Sequence, residues 1–181
     1  MEEVRKMSGL RRLEVKCAQN VEYPDLPLQL EELSLNYGTE NQLRCVERMP
    51  RLRSLEVINY LGPNLTFPHS QHNRLMWLYV GFNTDHKPTM LSLIRAYASS
   101  VQELRVFCTL PTGDKDFYFP DLGQELAACR LVALRRLVLV RPMEYRCTDN
   151  ASSCVLQRRT IRSVFPHSVD VVCRSCHSPE F

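Results

Sequence analysis

The chain has 181 residues, with 23 Lys and Arg against 20 Asp and Glu and a formal charge of +3. Hydrophobic residues make up 44% and charged residues 24%, the balance of a folded domain rather than of a disordered or collagen-like chain. A net charge this small implies no nucleic-acid partner, and the longest apolar stretch, residues 131–140, is interrupted by Arg135 and Arg136 and falls far short of the ~20 residues a membrane helix needs.

One pattern recurs along the chain: apolar-x-x-apolar-x-apolar. It appears at Leu10, Leu13 and Val15, then at Leu30, Leu33 and Leu35, then at Leu52, Leu55 and Val57. It returns at Leu75, Leu78 and Val80, at Val101, Leu104 and Val106, and at Leu134, Leu137 and Leu139. First positions are 20, 22, 23, 26 and 33 residues apart. The second and third apolar residues share one face of a short strand, because side chains alternate along it. The first approaches the same core from the preceding turn. A single repeat buries too little to be stable alone, so neighbours must stack.

The connections return the chain behind the strands. Residues 21–28 hold Pro24 and Pro27 and predict an irregular crossover. Residues 39–49 place Leu43 and Val46 on one helical face and stop at Pro50. Residues 61–73, with Pro63 and Pro68, predict a loop. Residues 88–99 predict a helix with Thr89 as its cap, and residues 109–119 are an insertion. Residues 121–132 predict a helix capped by Asp121, and residues 153–165 one capped by Ser153 and closed by Pro166. Residues 169–172 predict a seventh, edge strand. The expected organisation is one α/β repeat domain over residues 1–172, with six to seven irregular repeats, and a tail over 173–181.

These motifs resemble the leucine-rich repeat superfamily, from about Leu10 to Val172. The resemblance implies a solenoid with short parallel strands on its concave face and helices and loops on its convex face. Irregular repeat lengths and the lack of a leading apolar run are most similar to the repeat region of F-box proteins. Such proteins use their repeats to hold substrates for a ubiquitin ligase. The sequence departs from the family in two ways. The Asn or Cys expected three residues past the last apolar position is present only as Asn83, with Cys17 and Cys108 one residue early. Only nine residues precede Leu10, with no F-box-like helical segment among them. The resemblance therefore implies the substrate-recognition part of a ligase receptor, in the cytoplasm or nucleus. A stand-alone repeat scaffold or regulator is the alternative.

In such a solenoid the partner, a protein, meets the exposed strand positions. One column reads Glu14, Ser34, Glu56, Tyr79, Arg105 and Val138. The next reads Lys16, Asn36, Ile58, Gly81, Phe107 and Val140, and a third Arg12, Glu32, Ser54, Trp77, Glu103 and Arg136. The expected protein-binding residues are Ile58, Trp77, Tyr79, Phe82, Arg105 and Phe107, because aromatic rings and Arg anchor interfaces. The opposing expectation is that loop 61–73 or insertion 109–119 folds over these rings.

No motif for phosphate cradling, zinc proteolysis or a nucleophilic serine is present, so a non-catalytic module without a cofactor is expected. Eight cysteines are many for such a chain, and several stand where a small hydrophobe would. Cys147, Cys154, Cys173 and Cys176 make a further alternative, a zinc-binding protein using C-terminal thiolates, although the spacing of the first two is unusual.

Overall fold

A computed structural model describes residues 7, 9–18, 23–142 and 151–176. Its strands are β1 (Arg12–Lys16), β2 (Glu32–Asn36), β3 (Ser54–Ile58), β4 (Trp77–Gly81), β5 (Glu103–Phe107), β6 (Arg136–Val140) and β7 (Asp170–Cys173). They form one parallel sheet whose spatial order is the sequence order, β1 to β7.

The recurring motif sets the register. Leu13, Leu33, Leu55, Leu78, Leu104, Leu137 and Val171 lie in one row across the sheet. Val15, Leu35, Val57, Val80, Val106, Leu139 and Cys173 form the next row. All but the half-buried Leu13 are buried. The leading motif residues Leu30, Leu52, Leu75, Val101 and Leu134 join them in the core. Burying each such side chain contributes about 1.5–3 kcal/mol, so a one-residue slip that turned a row outward would be very costly.

A third inward row continues past the strand ends with Cys17, Asn59, Phe82, Cys108 and Arg141, all buried. Its cause is alternation: Leu78, Val80 and Phe82 are each two residues apart and share a face. Phe82 is therefore not outward. It is fully buried, at 0% exposure, which corrects its expected place among the binding residues. The polar members of the row find partners: the Asn59 side chain donates to the Gly38 carbonyl at 3.1 Å.

The crossovers carry α1 (Glu40–Glu47), α2 (Lys87–Ala96), α3 (Leu122–Ala128) and α4 (Ala151–Arg162). Leu43 and Val46 from α1, Leu93 and Ile94 from α2, Leu122 and Leu126 from α3, and Ile161 from α4 enter the same core. One sheet face is thus covered by the crossovers. No helix among the described residues is long and apolar enough to cross a membrane.

The helix starts differ in detail from the expected ones. α2 begins at Lys87 with Pro88 in its first turn, so Thr89 lies inside the helix. There the Thr89 hydroxyl accepts from Leu65 N at 2.9 Å, and Ser92 Oγ accepts from Phe67 N at 2.8 Å. These two bonds fix loop 61–73 against α2, with Leu65 and Phe67 in the core. Asp121 holds the N-cap position of α3 without a side-chain cap bond. α4 starts at Ala151, which places Ser153 inside its first turn. β7 extends one residue beyond the expected strand and takes in Cys173, which is buried.

Candidate functional site

The sheet face opposite the crossovers carries the three expected columns in the expected register. Glu14, Ser34, Glu56, Tyr79, Arg105 and Val138 lie side by side, as do Arg12, Glu32, Ser54, Trp77, Glu103 and Arg136. The face is not open along its whole length. Val138 and Val140 are 5% and 4% exposed, so past the exposed Arg136 β6 is buried on both faces, as its continuous apolar run Leu137–Val140 suits.

Two aromatic groups stand on this face. The first is Trp77 and Tyr79, both half-buried, with ring centroids 6.3 Å apart in an edge-on arrangement. Glu103 organises it. One carboxylate oxygen accepts from Trp77 Nε1 at 3.1 Å and from Arg105 Nε at 2.7 Å, and the other lies 3.8 Å from Arg136 Nη1. The Arg105 guanidinium sits 5.0 Å from the Trp77 ring centroid, in cation–π reach. Trp77 is thereby fixed by one hydrogen bond and one stacked cation, with little rotamer freedom left to lose on binding.

The second group is Tyr60, Phe107 and Phe117, with Tyr37 at its edge. Tyr60 lies 5.7 Å from Phe107 and 4.7 Å from Phe117, and Phe107 lies 5.1 Å from Phe117. Phe117 comes from insertion 109–119, which turns back on itself through the Thr109 N to Phe117 O bond at 2.9 Å. Ile58 is also covered, at 9% exposure. Gly81 lets this group close: a Cβ there would come within 2.8 Å of Ile58 Cδ1 and 3.4 Å of Phe107 Cβ. Insertion 109–119 thus sets Phe117 against Phe107, which stays half-buried, whereas loop 61–73 packs against α2.

Of the six expected binding residues, Trp77, Tyr79 and Arg105 form a half-exposed cluster. Half-buried Phe107 and buried Ile58 belong to the second group, and Phe82 belongs to the core. Tyr60, Phe117 and Tyr37 are additions that the motif did not single out. Tyr60 had a signal, since it follows Ile58 by two residues and shares its face. Tyr37 had none, because its φ of 57° breaks the alternation.

Toward β1 the face is acidic. A groove of about 330 Å³ runs past Arg12, Glu14, Glu32, Ser34 and Glu56 to Trp77. Burial raises the Glu56 carboxyl above its ordinary value of 4.5, and the neighbouring Glu14 raises it further. Tyr79 is pushed up to about 12, first by burial and then by Tyr60 and Glu56. These shifts hold Tyr79 as a neutral hydroxyl, suited to hydrogen bonding rather than proton transfer.

The residues able to hold a metal lie elsewhere. Cys154, Cys173 and Cys176 form a group of three thiols at the β7 end. Cys147, the fourth member of the expected set, lies outside the described residues. All seven described cysteines are thiols, not disulfides. No protein-family model matches the chain, nor does any curated protein or solved structure.

Proposed function

We propose that the chain is a leucine-rich repeat solenoid acting as a non-catalytic protein-binding module, most concretely the substrate-recognition part of an F-box-type ubiquitin ligase receptor in the cytoplasm or nucleus. The observation that carries the binding reading is the Trp77–Tyr79–Arg105 cluster. It is an aromatic pair, half-exposed, whose Trp77 is held with Arg105 by Glu103, on a sheet face that the crossovers leave open. Rigid aromatic and Arg groups ringed by polar side chains are what binding hot spots are made of. The acidic groove beside it, with Glu14, Glu32 and Glu56, favours a partner segment carrying apolar and basic side chains. Six repeats of one motif and a sheet in strict sequence order support the solenoid reading. The ligase assignment rests on the resemblance of those repeats to F-box proteins.

Trp77 is the only tryptophan, so its fluorescence reports this cluster alone. A photo-crosslinking side chain at position 79 is expected to capture a partner in cells. Trp77→Ala with Tyr79→Ala is expected to weaken that partner's binding by at least about tenfold, the loss of one hot-spot residue or more, while circular dichroism stays unchanged. Equal affinity in a folded double variant would overturn the site. Co-purification of that partner with a cullin–RING ligase tests the narrower assignment.

A further inference from the structure

The structure brings three sulfurs together from separate parts of the chain. Cys154 on α4, Cys173 on β7 and Cys176 in the turn after it have Sγ atoms all within 4.8 Å of one another. Cys176 Sγ lies 3.4 Å from Cys154 Sγ. Thiolates bound to zinc at ~2.3 Å in a tetrahedron stand about 3.8 Å apart, so the triangle is already near the size such an ion requires.

A second observation comes from Arg141, whose side chain is 4% exposed. Its described partners are the Cys108 and Thr109 carbonyls at 3.1 and 3.4 Å, Gln157 Oε1 at 2.6 Å, and the sulfurs of Cys108 and Cys154 at 3.2 and 3.6 Å. None of these carries a carboxylate, and Arg141 Nε has no partner among the described residues. Among the described residues no carboxylate meets this buried cation, and its contact with the cluster is Cys154 Sγ, where a thiolate would supply the missing charge.

We propose that Cys154, Cys173 and Cys176 form a tri-thiolate site for zinc or a similarly soft divalent ion, with Arg141 balancing its charge. Three thiols give up three protons to solvent as the ion binds. The ion and three thiolates then carry −1, and the Arg141 guanidinium brings the site to neutrality. Sulfur ligands select zinc over magnesium or calcium, which prefer oxygen. Cys154 and Cys173 are buried while Cys176 is partly exposed, so the ion enters from the Cys176 side, where water fills the fourth position. Bound there, it fastens α4 to the last strand of the sheet. The site is remote in sequence from Trp77 and Tyr79, and its test is independent of the protein-binding reading.

The full chain, stripped of metal and reduced, is titrated with Zn²⁺ and separately with Co²⁺. One ion per chain is expected, with the thiolate charge-transfer and tetrahedral ligand-field bands of Co²⁺. At free zinc about a thousandfold above Kd, Tm is expected to rise by about 10 °C. Cys176→Ser, the substitution least disturbing to the core, is expected to weaken binding by at least about tenfold, while Cys17→Ser and Cys129→Ser leave it unchanged. Less than about a tenth of an equivalent bound at saturation overturns the site. So does full affinity in a folded Cys176→Ser variant, or a Cys154–Cys176 disulfide that forms in air as fast with zinc as without it.

Discussion

The two aromatic groups on the open sheet face are both half-buried, but they are assembled in different ways. Trp77 opens β4, tied to Glu103 and Arg105 on the next strand, and Tyr79 at the centre of β4 meets it edge-on. Phe107 sits at the end of β5, beneath Phe117 and beside Tyr60. Alternation along a strand sends Trp77, Tyr79 and Phe107 to this face, whereas Phe117 reaches it from the insertion. Which rings it meets there is decided by a more distant segment, here the insertion that follows β5. Direction is local and the choice of ring partners is not.

The inner face of the same strands gives the scale for breaking this contrast. Phe82→Ala, which empties a fully buried site, is expected to cost about 3–5 kcal/mol in denaturant unfolding. A loss below about 1 kcal/mol would mean that the third inward row is not core. Phe117→Ala is expected to cost less, about 1–2 kcal/mol, because the ring is only half-buried and its contacts are two edge-on aromatic neighbours. It also uncovers Phe107, and binding of an apolar dye should rise with it. Unchanged dye binding would show that something other than Phe117 covers that ring.

The smallest effect sharpens the acidic end of the face. Glu56 has a raised pKa in the folded chain, from burial first and Glu14 second. Between its ordinary value of 4.5 and that raised value the folded state holds more protons than the unfolded state. Stability therefore falls as pH rises through this window and stays lowered above it. Glu56→Gln removes the penalty, so its gain in Tm over the parent should be larger at about pH 7 than at about pH 4. A gain that is larger at the acid end would reverse the assignment.

The strands and their register were legible because each repeat states them twice, in the spacing of Leu33 and Leu35 and in their match to Leu55 and Val57. The seventh strand followed from Val171, which falls in the same row. Phe82 was misplaced because the motif ends at Val80 while the alternation does not. Thr89 looked like a cap, yet Pro88 already fits the first turn of α2, which frees Thr89 to hold Leu65 instead. The return of Phe117 over Phe107, and the burial of Arg141 among thiols, depend on contacts between segments with no shared periodicity. No local pattern announces them.

Because strand order in space repeats strand order in the chain, every strand leans only on the one before it and the one after it. Such an array behaves like a zipper rather than a knot. Damage to one strand pairing is felt by its two neighbours and fades with distance. Loss of order should start at an outer strand and travel inward tooth by tooth, so that hydrogen exchange is fastest at β1 and β7 and slowest near β4, where Trp77 and Tyr79 stand.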